Sequence, residues 1–369
     1  MIESHTDVVG SLLRPAELLE AQEDLRSGRI SPAEFKVVED RAVVEAVALQ
    51  EAAGLEVLTD GEMRRLSFQS QMTQAVDGFG EWNVDAFLWG DWHGDEAVGN
   101  SRTMRPPELG VVGKLSRKRH LCAEEFAYLR ARTRRIAKVT LPSPGLFANF
   151  WSPDRSGGVY PTLESFLADV VDILRDEVVE LVRLGATYIQ IDAPHYPLLL
   201  DPKTCAFYES RGWKLDEWLE FGIELDNALM ADLPDVTFGF HLCRGNQGSR
   251  WLVEGGYDLI AKPIFQNIRA QRLLLEYDDP RSGTFDALGD VPDDRMVVLG
   301  LVTTKRAKLE SLQELVKRIE QAASHVALER LAISPQCGFS TSIVGNNLSV
   351  EDQRKKLELL CRTARAVWS

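Results

Sequence analysis

A histidine and two cysteines offer the most direct route from this sequence to chemistry. His241-Leu242-Cys243 closes one apolar run, Glu276 follows a second, and Cys337 follows a third. Imidazole and two thiolates select zinc by their softness, and a carboxylate completes a tetrahedron. An isolated His-x-Cys step is more often a packed histidine beside a buried cysteine. What lifts this one is that four candidate donors all stand where apolar runs end. Zinc held by two thiolates, a carboxylate and a neutral imidazole carries a net charge of about −1. Free thiols have a pKa of about 8.5, so at neutral pH few are ionised until coordination deprotonates them. A thiol that replaced Glu276 would therefore become a nucleophile, whereas a structural zinc keeps no replaceable oxygen ligand. The chemistry implied is alkyl transfer to a thiol, foremost methyl transfer. Cys122, Cys205 and Cys361 lack such company and read as structural.

Eight short apolar runs suit buried parallel strands: Asp7–Gly10, Glu56–Thr59, Ala137–Leu141, Tyr188–Ile191, Thr237–His241, Arg272–Leu275, Met296–Leu299 and Leu331–Ser334. Several are continuous rather than alternating, as strands covered on both faces should be. Helical patterns lie between many of them. One opens on Ser31 as N-cap with Pro32 and Glu34 behind it and stops at Gly54. Others occupy Leu163–Leu184, Leu215–Met230, Leu309–Val326 and Glu351–Val367. Strand alternating with helix implies a parallel sheet, and eight strands make a single (β/α)₈ barrel over residues 1–369 the economical fold. An open doubly wound sheet is the alternative, weakened because no glycine-rich dinucleotide fingerprint follows the first strand. In a barrel, residues just after the strands meet at the C-terminal mouth, so ligands distant in sequence can share one ion.

Two segments break the alternation. Residues 80–116 carry Trp82, Trp89, Trp92 and His93 before Val111-Val112-Gly113-Lys114-Leu115, and read as an inserted hairpin or excursion. Residues 193–215, with Tyr196, Tyr208 and Trp213, read as a long loop that is either a lid or plain packing. A net charge of −14 disfavours nucleic acid and anionic membranes as partners. No apolar run approaches the ~20 residues that span a bilayer, and the first residues show no signal peptide. Five scattered cysteines are unlike a disulfide framework, and the expected setting is the reducing cytoplasm.

The motifs together resemble the catalytic C-terminal half of cobalamin-independent methionine synthase, and still more its short single-barrel bacterial relatives. They are Val8-Val9-Gly10-Ser11-Leu12-Leu13-Arg14-Pro15, Thr59-Asp60-Gly61-Glu62-Met63-Arg64-Arg65, Ile189-Gln190-Ile191-Asp192-Ala193-Pro194, His241-Leu242-Cys243-Arg244-Gly245-Asn246, Glu276-Tyr277-Asp278-Asp279 and Ser334-Pro335-Gln336-Cys337-Gly338-Phe339. The resemblance covers nearly the whole chain. It implies a barrel, zinc on His241, Cys243, Glu276 and Cys337, and homocysteine as the thiol, held by Gly10, Ser11, Glu62 and Asp192. The residue types agree: an amino acid zwitterion needs carboxylates for its ammonium group, and backbone N–H groups at Gly10-Ser11 suit its carboxylate.

Three departures from the full-length enzymes bear on the donor. There is no room for their second barrel, which helps to hold polyglutamylated folate. Ala193 stands where they usually carry an acid. Leu301-Val302-Thr303-Thr304-Lys305 replaces an Asp-x-His run expected near the leaving group. Lys305 is the candidate catalytic residue there, to meet an anionic donor or acceptor, unless it is an ordinary exposed lysine. The expected donor is a methylfolate or a methylated corrinoid protein, with polyglutamylated folate disfavoured. Two rival readings remain. In the first, a related alkyltransferase joins a small sulfonated thiol to an epoxide, using Arg14, Arg64, Arg65 or Lys305 for the sulfonate. In the second, a zinc-binding or thiol-sensing module has no turnover and so no need of Glu62 and Asp192.

Overall fold

The computed structural model of the protein describes residues 2–81, 92–94, 109–210 and 212–368. Its centre is a parallel sheet of β1 (Val57–Leu58), β4 (Ile136–Pro142), β5 (Tyr188–Asp192), β6 (Thr237–Leu242), β7 (Arg272–Glu276), β8 (Met296–Val302) and β9 (Leu331–Pro335), in that order. Every residue of β5 to β9 is buried, because helices cover the outer face and side chains fill the inner one. The helices Leu163–Arg183, Leu215–Met230, Asp258–Asn267, Leu312–Ala322 and Val350–Trp368 lie between or after these strands. The helix Pro32–Ala53 carries the expected capping box of Ser31 with Glu34 and ends at Gly54 in the left-handed conformation. The helix Asp258–Asn267 escaped the sequence pattern because Pro263 lies inside it.

The expected first strand, Asp7–Gly10, is not a regular strand, so among the described residues the sheet has seven strands and not eight. It does lie between the two ends of the sheet. Thr6 bridges Ile333 of β9 in parallel, while Leu12 N–H donates to the Gly61 carbonyl at 3.0 Å beyond β1. The reason it forms no ladder is local. The Val8 carbonyl accepts from the Lys138 ammonium, Val9 from the Gln190 side-chain amide at 2.6 Å, and Gly10 from the Thr59 hydroxyl at 2.6 Å. Side chains have taken the place of a neighbouring strand.

The excursion has the expected antiparallel arms, β2 (Val76–Glu81) and β3 (Leu109–Arg117), starting a few residues earlier than the sequence suggested. Trp82 and Trp89 lie outside the described residues. His93 is described, and pairs antiparallel with Trp251 near the C-terminal mouth. The long aromatic loop is largely packing: it forms the helix Pro202–Ser210, and Tyr208 stacks on Trp218 at 4.6 Å. Among the described residues no helix is long and apolar enough to cross a membrane.

The strand interior carries a charged floor. Asp7 accepts from Lys138 at 2.8 Å, from the Tyr188 hydroxyl at 2.6 Å and from Arg272 at 3.2 Å, all fully buried. Burial pushes the Asp7 carboxyl up, but Lys138 and Arg272 outweigh it and hold it below its ordinary value. This contribution to stability is therefore present above the ordinary carboxylate pKa and is lost as pH falls through the lowered one. Asp7→Ala should cost about 3–5 kcal/mol in urea unfolding, since it strands two buried cations.

Candidate metal centre

The chemistry-bearing residues sit at strand ends. Asp192 is the last residue of β5 and stands opposite His241, the penultimate residue of β6. Cys243 follows β6 directly, Glu276 ends β7, and Cys337 lies just past β9. A ring nitrogen of His241 and the sulfurs of Cys243 and Cys337 all lie within 4.8 Å of one another, and every one of these residues is buried. The two sulfurs are 3.4 Å apart and share a small apolar cluster with Val9.

The His241 ring is oriented for ligation. Its Nδ1 faces the Leu274 carbonyl at 3.2 Å, while Nε2 is buried and has no hydrogen-bond partner. With Nδ1 protonated towards that carbonyl, Nε2 keeps its lone pair, which is how metal-binding histidines are commonly set. The hydrogen bond from Cys337 lowers the Cys243 thiol pKa, and the same bond raises that of Cys337. Burial would pull the His241 pKa down, but the Cys243 thiolate outweighs it and leaves it raised. All three groups are buried together, and of the two thiols Cys243 is the more readily ionised.

Glu276 is beside this trio but not among the gathered ligand atoms. Its Oε1 accepts from Lys305 at 3.1 Å and from Arg281, and its Oε2 accepts from the Arg244 backbone N–H at 3.0 Å. Burial would raise its pKa, but Lys305, Arg281 and Arg244 together drive it well below the ordinary range. Lys305 is only 4% exposed and is engaged with Glu276, not held out towards solvent.

The remaining candidates line the same mouth. Glu62 adopts φ of 54°, a conformation that costs a non-glycine residue and persists where surroundings enforce it. Its Oε1 accepts from the Thr140 hydroxyl at 2.7 Å, and its Oε2 is buried without a partner. Gly10 lies flat against that carboxylate: a Cβ there would come within 2.5 Å of Oε1. Ser11 likewise lies against Gly338, whose added Cβ would meet the Ser11 hydroxyl at 2.1 Å. Asp192 takes a hydrogen bond from Gln190 at 2.7 Å, and burial, aided by Glu62, pushes its pKa up to about 7.

Three residues that hold the mouth together were missed by sequence reasoning. Arg244, fully buried, donates to the carbonyls of Gly255, Glu276 and Ser282 and lies over the Tyr257 ring at 4.0 Å. Tyr257 joins β6 to β7, donating to the Leu242 carbonyl and accepting from the Glu276 N–H, each at 2.9 Å. Asn246 donates to Thr304 at 3.1 Å and to the Gly338 carbonyl at 2.7 Å, tying three post-strand loops. Only their adjacency to His241-Leu242-Cys243 hinted at Arg244 and Asn246; nothing local singled out Tyr257.

Residues 4–351 match the family described as cobalamin-independent synthase, catalytic domain. This chain belongs to the cobalamin-independent methionine synthase family. Among its relatives, the uncharacterized protein YxjH of Bacillus subtilis is 32% identical over 368 residues, spanning 98% of this chain and 94% of its own. A methionine synthase of Pyrococcus abyssi is 28% identical over 335 residues, covering 90% of this chain and 86% of that one. A B12-independent methionine synthase of Shewanella sp. W3-18-1, solved in complex with selenomethionine, shares the fold. Its TM-score is 0.73 over 98% of this chain and 97% of that one, at 20% identity. Membership in the methionine synthase family thus extends over almost the entire chain.

The donor types of the trio fit a soft divalent ion, and zinc is the prediction. Cys337→Ser is expected to leave the protein folded by circular dichroism and substoichiometric in zinc by metal analysis after dialysis.

Proposed function

We propose that this protein is a zinc-dependent methyltransferase that converts homocysteine to methionine. The observation that carries the reading is the unpartnered His241 Nε2 gathered with two sulfurs, while Glu276 beside them is held by cations. That set suits zinc by donor type and remains one protein ligand short of a closed tetrahedron, which is the pattern of a catalytic rather than a structural site. Zinc, when bound by His241, Cys243 and Cys337, with Glu276 as the exchangeable ligand, supplies the lowered thiol pKa.

The chain's own residues would do the rest. Glu62 and Asp192 line the same mouth, and the ammonium group of an amino acid would supply a cation for the carboxylate oxygens that lack one. It would engage the partnerless Glu62 Oε2, and its charge would offset the effect of burial on Asp192. Backbone N–H groups about Gly10 and Ser11 would receive the substrate carboxylate. Lys305 and Arg281 keep Glu276 ionised, so it need not take up the thiol proton. In the transfer, sulfur forms its bond to the methyl carbon as the donor's bond to that carbon breaks; the leaving group keeps that electron pair and takes up the proton the thiol released.

A methyltetrahydrofolate is the donor we favour, since a family described as cobalamin-independent lends a methylated corrinoid no support. The sulfonated-thiol alternative finds no free cation among its candidates. Arg14 donates to the Ser340, Glu62 and Arg65 carbonyls, Arg64 pairs with Glu39 and Asp40, Arg65 with Glu125, and Lys305 with Glu276.

Zinc-loaded protein supplied with homocysteine and methyltetrahydrofolate, in mono- and polyglutamyl forms, should yield methionine by mass spectrometry. Chelation should abolish the product. No methionine from stoichiometrically loaded protein with either folate or with methylcobalamin would refute the assignment. Asp192→Asn should raise the KM for homocysteine and leave zinc content unchanged; loss of zinc in that variant would mean that Asp192 serves the metal.

A further inference from the structure

The charged floor and the mouth of the sheet are joined by one side chain to which the reading above gives no role. The Lys138 ammonium donates to Asp7 Oδ1 at 2.8 Å, to Gln190 Oε1 at 2.7 Å and to the Val8 carbonyl. Its three N–H groups are then all used, and a lysine accepts nothing. The atom that Gln190 turns towards Lys138 must therefore be its oxygen. Its NH₂ group consequently faces the other way, donating to the Val9 carbonyl at 2.6 Å and to Asp192 Oδ1 at 2.7 Å. Inverting the amide would set NH₂ against an ammonium and oxygen against a carboxylate and a carbonyl. Gln190 has one stable orientation.

We propose that Gln190, oriented by Lys138, is a positioning residue for the amino-acid pocket, immobilising Asp192 Oδ1 and presenting its other oxygen to the substrate ammonium. The inference rests on the homocysteine reading given above. Gln190 and Asp192 are two apart on β5, so their side chains share the inner face of the sheet. Among the described residues, no hydrogen bond engages Asp192 Oδ2. By holding Val9 as well, Gln190 fixes the ladderless segment that packs against Cys243 and Cys337. Gln190 is completely buried, so water does not substitute for these contacts.

Gln190→Met keeps the length of the side chain and removes its donors and its acceptor. The Kd of homocysteine should rise about tenfold, the effect of losing one hydrogen bond to a charged group. That of its desamino analogue γ-mercaptobutyrate should rise distinctly less, since only the Val9 contact bears on it, and zinc should remain stoichiometric. A crystal structure of the variant should show Asp192 in another rotamer. Gln190→Glu keeps the contact with Lys138 but cannot donate to Asp192, and its crystal structure should show the same change of Asp192 rotamer. An equal loss for both thiols, or an unmoved Asp192 with the preference intact, overturns the proposal. Wild-type protein that binds homocysteine no better than the desamino thiol would instead refute the acceptor, and the Asp192 rotamer in Gln190→Met then decides the relay alone.

Discussion

Two sulfurs and a carboxylate buried at one end of a sheet are a concentration of negative charge that the interior must balance. Unbalanced, such groups would protonate rather than share a pocket. Around Glu276 the balance comes from Lys305, Arg281 and the Arg244 backbone, and around Cys243 from His241 and the Cys337 thiol. This arrangement explains why Glu276 stands apart from the gathered trio. Its Oε1 has two cationic partners and its Oε2 a backbone N–H, so it is stable as an anion with or without a metal beside it. An acid poised in this way can leave a metal without taking a proton, the property an exchangeable ligand requires.

That balance is useful only if the groups stay in place, and the strand ends supply the rigidity. Asp192, His241 and Glu276 are held in register by the sheet, so their backbones are fixed by ladder hydrogen bonds. The post-strand loops lack ladders and are tied instead by Asn246, Arg244 and Tyr257. Close backbone approach does similar work on the acceptor side. Gly10 against Glu62 and Gly338 against Ser11 bring the chain's first residues to within contact of the segment that carries Cys337. The unfavourable φ of Glu62 fits the same picture, a local cost tolerated where a carboxylate must point inward.

Strand positions were legible because their burial on both faces writes continuous apolar runs, and seven of eight expected runs became strands. The first did not, because its carbonyls bond to Lys138, Gln190 and Thr59, residues far away in sequence. Metal candidates were legible for a topological reason: residues just after parallel strands converge, whatever their separation in sequence. What could not be read was how each group is partnered. The capture of Glu276 by Lys305 and Arg281 depends on side-chain directions, as does the pairing of Arg14, Arg64 and Arg65 with interior groups. In the sequence those arginines were open candidates for a sulfonate; in the fold each has another partner.

Membership in a family fixes the scaffold more firmly than the substrate, because function resides in particular side chains placed on it. Here the pocket's own electrostatics narrow the choice. The cations near the mouth are engaged with carboxylates or carbonyls, whereas Glu62 keeps a buried oxygen without a partner and Asp192 has its pKa lifted to about 7 by burial. A mouth in which Glu62 keeps an unpartnered oxygen and burial lifts Asp192 favours a cationic head group over an anionic one. A thiol that carries an ammonium group near its sulfur meets both demands of the site, soft donor for the metal trio and positive charge for the acids. Homocysteine has that constitution.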